Sequence, residues 1–461
     1  MENYDIVVLG GGPGGYVAAI KAAQMGAKTA LIEKDNIGGV CLNWGCIPTK
    51  TLLKSAKVYE YIMNSEKYGI DLGDKSCVSI NWKNIKNRKD KVVKQLTGGV
   101  KVLLNKNNVD IYNGFGKVID KNTIDVNNKQ IKAKNIILAT GSSPRIPDIP
   151  GFKEGINEGF IVTSKGILDL DNIPKKLLII GGGVVGVEFA TLYNSLGTDV
   201  TILQRSNRIL GNIEKDIRED MTKILERDGV KIEYNSTIKK VDGNKVTVNV
   251  DGKEKVYEVD RVLTSIGRVP NMAGIENIEL ETNKKGIVTD DMLKTNVDNV
   301  YAIGDVNGKY MLAHVASAEG IAAVENILGK ESQIDYNKVP SCIYGFPEIG
   351  VAGLTEEQAR NEGYDVLIST FPLSANGKSL AEGESDGFIK IVADKKYGEV
   401  LGVHILAPNA TDMISEAVTT MELEGTVHEL AKAIHPHPTL SEIVMEAAHG
   451  AIDKPIHIYK G

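Results

Sequence analysis

The stretch Asp5-Ile6-Val7-Val8-Leu9-Gly10-Gly11-Gly12-Pro13-Gly14-Gly15 decides how the chain folds. Five mostly apolar residues read as a buried parallel strand, and residues 16–25 continue as an amphipathic helix. Residues 28–32 then make a second strand ending in Glu33, 18 residues after Gly15. Glycines at 10, 12 and 15 fit a Rossmann βαβ unit. The first makes the tight turn, the second lets the backbone approach a pyrophosphate at the helix start, and the third allows close helix–strand packing. Glu33 stands where a carboxylate accepts hydrogen bonds from ribose hydroxyls. The pattern returns at Leu177-Leu178-Ile179-Ile180-Gly181-Gly182-Gly183-Val184-Val185-Gly186, with a helix over 187–196 and a strand over 199–203. The two fingerprints start 171 residues apart (181 − 10). Each unit closes with a strand running into glycine, 135–140 into Gly141-Ser142 and 260–266 into Gly267-Arg268. Two separate dinucleotide sites follow, which excludes a dehydrogenase with a single cofactor.

Just after the first unit comes Gly39-Val40-Cys41-Leu42-Asn43-Trp44-Gly45-Cys46-Ile47-Pro48-Thr49-Lys50. Pro48 and the run that follows predict a helix starting near Cys46. Free N–H groups and the positive dipole end there favour a thiolate, and Lys50, one turn on, adds charge to the same face. This reads as a redox-active pair, against an incidental disulfide or two buried thiols. A dithiol couple needs a proton carrier. His437, bracketed by Pro436 and Pro438, has the restricted backbone and the titration range for it. Glu442 could orient that imidazole; equally, Thr439-Leu440-Ser441-Glu442 fits a capping box with Thr439 as N-cap, opening a helix over 440–449. His435 reads as structural. The other histidines are scattered, so no metal site is proposed.

The 461 residues should fill three or four domains, and a net charge of −6 without a dense basic tract argues against nucleic acid. Four cysteines do not make a secreted disulfide framework, and the isolated Cys77 and Cys342 read as buried or inert. The chain enters a strand at once, so no leader peptide is expected, and the apolar run 177–190 is too short and glycine-broken to cross a bilayer. A cytoplasmic protein, with no membrane partner, is the expectation. Pro144, Pro147 and Pro150 mark 142–151 as a stiff connector. Residues 83–106 read as a long helix with a solvated face, and 229–259 as short strands with turns. Residues 300–305 read as a strand with a polar turn, leading to Met311-Leu312-Ala313-His314 and a helix through residue 328. From residue 339 the chain carries no fingerprint and reads as an interface-building domain.

With these residues in hand the chain resembles the pyridine nucleotide–disulfide oxidoreductases. The resemblance rests on the cysteine segment, Ala139-Thr140-Gly141-Ser142, both fingerprints, Gly267-Arg268-Val269-Pro270-Asn271, Ala302-Ile303-Gly304-Asp305 and His437-Pro438, and it spans essentially the whole chain. It implies an α/β fold with two Rossmann-like domains, for FAD and NAD, plus an α+β C-terminal dimerisation domain. The implied boundaries are 1–145 for FAD, 146–270 for NAD(P), 271–338 for a central domain completing the FAD site, and 339–461 for the homodimer interface. FAD would sit on Gly10, Gly12, Gly15, Glu33, Lys50, Gly114, Thr140, Gly141, Ser142, Asp305, Met311, Leu312, Ala313 and His314. The nicotinamide nucleotide would sit on Gly181, Gly183, Gly186, Glu188, Gln204, Arg205, Ile238 and Gly267. Cys46 would lie beside the flavin, with Lys50 paired to Glu188 near it, and Cys41 would exchange with substrate in a Cys41–Cys46 redox disulfide. His437, held by Glu442, would be the acid/base, reaching the cysteines of the other subunit.

The branch of the family that the chain is most similar to oxidises protein-bound dihydrolipoyl groups. The implied partner is a lipoyl-bearing protein of a 2-oxo acid dehydrogenase, acetoin or glycine-cleavage system, on another chain since no lipoyl-type segment precedes residue 1. Competing readings are an FAD-dependent reductase of another small disulfide, and an FAD-binding interaction subunit without turnover. One departure stands out. The NAD-preferring pattern has an acid at the end of the second strand of the second unit, and here Gln204-Arg205 follows, with Arg208 nearby, which points towards weakened NAD selectivity and NADP use. The competing reading is that Gln204 still hydrogen-bonds the ribose while Arg205 points to solvent. Val40 and Trp44 are smaller departures within the cysteine segment.

Overall fold

The computed structural model describes residues 2–459. Strand β1 (Glu2–Leu9) carries Ile6, Val7 and Val8, all fully buried. Each such side chain contributes about 1.5–3 kcal/mol when taken from water. Helix α1 (Pro13–Gln24) follows with its proline in the first turn, where the missing N–H leaves no bond unmade. Strand β2 (Thr29–Glu33) lies parallel to β1. On the other side of β1 runs Lys129–Leu138, also parallel, and Val300–Ala302 adds beyond it. The segment 271–338 is therefore no separate layer. It supplies a strand to the first sheet and a helix, Ala313–Ile327, that packs on α1.

The second sheet repeats this plan with five parallel strands. Lys176–Ile180 lies in the centre, with Asp199–Leu203 on one side and Arg261–Thr264 on the other. The close contacts repeat too. A Cβ on Gly15 would lie 1.8 Å from the Gly10 carbonyl oxygen, and one on Gly186 would lie 2.0 Å from that of Gly181. Both third glycines are thus required by packing. An antiparallel meander, Ser236–Asp242, Lys245–Val250 and Lys253–Glu258, extends the second unit, turning at Gly243 and at Asp251-Gly252.

The chain passes between the two units twice, and these passages pair. Ser142–Pro144 runs antiparallel to Arg268–Pro270. The proline-rich connector expected at 142–151 therefore begins as a strand, because the returning passage offers it hydrogen bonds. The long helix is Trp82–Lys106. The C-terminal part is a five-stranded antiparallel sheet in the order Ser341–Ile343, Glu348–Gly353, Val400–Ala407, Phe388–Asp394 and Val366–Pro372. Helices Ala410–Glu422 and Glu442–Ile452 cover it. No helix among the described residues is long and apolar enough to cross a membrane.

One buried cation ties this sheet to the second unit. Lys390 Nζ lies 2.9 Å from Glu214, 2.6 Å from Asp216 and 2.8 Å from Glu356. Glu214 and Asp216 stand at the start of helix Lys215–Arg227, and Glu214 also accepts the Glu356 N–H at 2.9 Å. Lys390 and Glu214 are almost fully buried, so neither charge is stable there alone. Replacing Lys390 by Met should cost about 3–5 kcal/mol, since it strands the Glu214 carboxylate. A lowered unfolding midpoint in denaturant measures it, and an unshifted midpoint would show the three carboxylates to be independent of the lysine.

Candidate functional site

Cys41 lies on the short helix α2 (Gly39–Trp44) and Cys46 is the first residue of α3 (Cys46–Met63). The expected helix start at Cys46 is there, whereas the separate turn holding Cys41 was not foreseen. Gly45 separates the two helices. A Cβ at this position would lie 2.9 Å from the Val40 carbonyl oxygen, so only glycine lets the two cysteines come this close. Asn43 Nδ2 donates to the Ile37 and Gly39 carbonyls at 3.1 and 2.9 Å, pinning the preceding loop onto α2. Gly39 in turn abuts the fingerprint, since its Cβ would lie 2.6 Å from Gly12 Cα. The cysteine pair is thereby built against the phosphate turn.

Both cysteines carry free thiols, and each is the largest influence on the titration of the other. The hydrogen bond from Cys41 lowers the Cys46 pKa most. Burial opposes it, the Lys50 ammonium assists, and the balance brings Cys46 down to about 7. Cys41 is pushed far up by that bond and by burial. Of the two, Cys46 is the thiolate. The helix start and Lys50 were the expected causes, and the neighbouring thiol outweighs both.

Lys50 Nζ lies 2.8 and 2.9 Å from the two oxygens of Glu188, a buried residue of helix Val184–Ser195 in the second unit. Tyr344 completes the arrangement. Its N–H donates to Glu188 at 3.1 Å, and its ring lies 4.3 Å from the Lys50 ammonium. Nothing in the sequence marked Tyr344, which reaches this point from the C-terminal sheet.

The nucleotide cradles are graded by where a side chain would fit. Gly10, Gly15, Gly181 and Gly186 are closed by backbone, whereas a Cβ on Gly141, Gly183 or Gly267 would meet nothing within 4 Å and one on Gly12 only Gly39 Cα, at 3.9 Å. Room is left at the second glycine of each fingerprint, beside the starts of α1 and helix Val184–Ser195, neither of which has a side-chain cap. Free N–H groups with open space before them fit a pyrophosphate. Glu33 Oε2 accepts the Gly11 N–H at 2.6 Å and Oε1 that of Asp35 at 2.7 Å, which fixes the carboxylate beside the first cradle. Thr140 and Asn271 exchange hydrogen bonds at 2.7 and 2.9 Å. Ser142 hydroxyl bonds Asp305, and Arg268 donates to Ser142 Oγ and O at 2.6 Å each. Glu319, fully buried, accepts the Gly304 N–H at 2.5 Å and so holds the Asp305 turn. Arg268, Asn271 and Glu319 went unassigned in the sequence; only the run of residues 267–271 hinted at the first two.

Met311 is exposed and Leu312 is the N-cap of helix Ala313–Ile327, opposite α1, with His314 Nε2 at 2.8 Å from the Pro340 carbonyl. Gly114 takes φ +152 where Gly116 begins the hairpin strand Gly116–Asp120, with its Cβ position against Asn127. Ile238, nearly buried, lies on the meander, and Arg205 is exposed. Cys77 is exposed, because the 3-10 turn Lys75–Cys77 lies on the surface, so of the two expected roles, buried or inert, the first is overturned. Cys342 is half-buried, and burial pushes its thiol up to about 11.

His437 and Glu442 stand apart from the cysteines, on the C-terminal domain. His437 Nδ1 lies 2.9 Å from Glu442 Oε1, and Glu442 Oε2 accepts the Thr439 N–H at 2.8 Å. The two oxygens of Glu442 thus hold different partners, the imidazole on one and the Thr439 N–H on the other. Burial works against its charge, but these two partners prevail and hold its carboxyl below the usual range. The capping box is only half made. Thr439 Oγ1 donates to the Pro436 carbonyl at 2.8 Å, and the helix is Glu442–Ile452 with Ser441 as N-cap, not 440–449 behind Thr439. The His437 side chain is 77% exposed in the single chain. His435, by contrast, is buried against Glu416 at 2.7 Å.

Two nucleotide cradles, with a dithiol between them whose inner sulfur ionises near neutrality, define a class of enzyme that passes electrons between thiols and nucleotides. Residues 4–320 match the family described as pyridine nucleotide-disulphide oxidoreductase and residues 339–448 its dimerisation domain; the chain belongs to this family. It is 41% identical to dihydrolipoyl dehydrogenase of Bacillus subtilis over 99% of both chains. It is 53% identical to dihydrolipoyl dehydrogenase of Acholeplasma laidlawii over 71% of this chain and 97% of that one. Among solved structures it superposes on the HOCl-induced flavoprotein disulfide reductase RclA of Escherichia coli, in its Cu(II) complex. There the TM-score is 0.86 at 29% identity, covering 97% of this chain and 99% of that one.

With Cys46 titrating near 7, alkylation of the reduced protein by iodoacetamide should rise with pH around that value, well below an unperturbed thiol near 9. Mass spectrometry should place the early adduct on Cys46. Lys50→Met should move the midpoint upward, because the ammonium favours the thiolate. An unmoved midpoint would assign the shift to the neighbouring thiol alone.

Proposed function

We infer that the chain is a dihydrolipoyl dehydrogenase with FAD and NAD as cofactors, which reoxidises dihydrolipoyl groups carried by another protein. One observation carries the substrate choice. Relatives named dihydrolipoyl dehydrogenase are 41% and 53% identical, whereas the disulfide reductase of another name stands at 29%. The partner is the lipoyl-bearing protein of a 2-oxo acid dehydrogenase, acetoin or glycine-cleavage system, and the setting is the cytoplasm.

The residues divide the work. In the oxidised enzyme Cys41 and Cys46 form a disulfide, and a thiolate of the substrate attacks Cys41 Sγ. Cys46 leaves as the thiolate, which its lowered pKa makes the better leaving group. The second substrate thiol then displaces Cys41, releasing lipoyl disulfide and leaving the enzyme dithiol. His437 takes the proton from the attacking thiol, with its Nδ1 held by Glu442 so that Nε2 faces outward. Because the match to the dimerisation domain covers both residues, a homodimer in which His437 serves the partner subunit's cysteines is the consistent arrangement. The first cradle, with Glu33, Lys50, Ser142, Asp305 and the 311–314 turn, would hold FAD, and the second would hold NAD. FAD bound in the first cradle would supply a two-electron acceptor between the dithiol and NAD+. Lys50 and Glu188 keep the charge beside Cys46 balanced while its sulfur gains and loses its negative charge.

Purified holoenzyme should reduce NAD+ with dihydrolipoamide and leave glutathione untouched; the reverse preference would overturn this reading. Cys46→Ser should abolish turnover while the flavin stays bound. His437→Gln should lower kcat by about 10²–10⁴-fold, the usual range for losing a general acid/base.

A further inference from the structure

The duplication supplies an internal comparison at the point where an adenosine ribose is read. Glu33 ends β2, and its Oε2 accepts the Gly11 N–H at 2.6 Å. Gln204 follows strand Asp199–Leu203, and its Oε1 accepts the Gly182 N–H at 2.9 Å. Two side chains at the same place in the two units make the same bond to the middle of a glycine turn. They differ in charge. In the first unit a carboxylate is available to ribose hydroxyls and repels any added phosphate. In the second, the amide's oxygen is taken by Gly182 and its Nε2 donates to Ser206 Oγ at 2.6 Å. Ser206 Oγ in turn donates to the Arg208 carbonyl at 2.9 Å, so the turn is tied in place without using a single acid.

The formal charges that remain on this turn are Arg205 and Arg208, both exposed. Neither is ion-paired among the described residues. Glu233, on the neighbouring strand, is neutralised by Lys255 at 2.9 Å and Tyr257 at 2.8 Å. A neutral amide, two free guanidiniums and a compensated neighbouring acid form a surface for a dianion rather than for a hydroxyl pair alone.

We propose that the second site admits a 2′-phosphorylated adenosine, so that the enzyme uses NADP(H) as well as NAD(H). Arg205 and Arg208 contact the 2′-phosphate, and Gln204 is the specificity-determining residue because it keeps the backbone bond without the repelling charge. The proposal rests on the second unit being the nicotinamide site, as in the function inferred above.

The test uses holoenzyme and has two arms. In the first, calorimetry compares 2′,5′-ADP with 5′-AMP, which needs no turnover. The expected result is binding of 2′,5′-ADP at least as tight as that of 5′-AMP. Arg205→Ala and Arg208→Ala should each weaken 2′,5′-ADP about tenfold more than 5′-AMP, the usual loss of a charge-assisted bond. Gln204→Glu should act in the same direction; Glu33 shows that a carboxylate keeps the glycine bond, so this variant should fold. Preference of the parent protein for 5′-AMP, or variants that weaken both ligands equally, would overturn the proposal. In the second arm, kcat/KM for lipoamide reduction with NADPH should lie within about tenfold of that with NADH, against the roughly hundredfold or greater bias expected from an intact acid. A bias of that size towards NADH would also overturn it. Tight 2′,5′-ADP binding without lipoamide turnover would support the proposal and count against the dihydrolipoyl reading instead.

Discussion

The ion pair between Lys50 and Glu188 is the contact on which the remainder depends. Lys50 belongs to the first unit, Glu188 to the second, and the Tyr344 N–H and ring come from the C-terminal domain. Removing the ammonium would strand the buried Glu188 carboxylate, which costs several kcal/mol, whereas the Lys50 side chain is 30% exposed and can turn to water. The pair therefore specifies one docking of the three parts. The same ammonium also favours the Cys46 thiolate, so the electrostatics that assemble the molecule also set its reactive sulfur. A docking error of one helical turn would lose both together.

Glycine performs the complementary task in backbone. At Gly15 and Gly186 the space is closed by the preceding turn, while at Gly12 and Gly183 it opens towards a ligand. Gly45 belongs to the first kind and brings the short α2 near enough to the start of α3 for their cysteines to set each other's titration. These requirements are local, so they were legible in the chain. A strand, a glycine spacing and a helix start are written within about a dozen neighbouring residues, and the two Rossmann units and the helix at Cys46 follow from them.

What the chain did not disclose depends on residues far apart in sequence. Tyr344 reaches Glu188 across 156 residues, Arg268 reaches Ser142 across 126, and Lys390 reaches Glu214 across 176. No periodicity records such meetings, because each half looks like an ordinary polar residue until the sheets are stacked. Glu442 illustrates the intermediate case. Its two roles compete on paper for one side chain, yet a carboxylate has two oxygens, and the geometry gives one to Thr439 and the other to His437. Thr439 has no part in the cap because the helix begins only at Glu442, behind Ser441, and its hydroxyl donates to the Pro436 carbonyl.

In the proposed function the molecule separates electron handling from proton handling. Cys41, Cys46, Lys50 and Glu188 are assembled within one chain, half-buried and electrostatically adjusted. His437 is displayed on the surface of another domain, yet its ring is anything but loose: Glu442 fixes one nitrogen, and Glu442 opens a helix whose Ile443 and Val444 are fully buried. An exposed imidazole on so rigid a mount is preorganised for a partner surface rather than for solvent. If a second copy supplies the cysteines that this imidazole serves, association completes the site. Weakening the dimer would then remove the proton carrier while leaving the cysteine pair, its lysine and both nucleotide cradles intact.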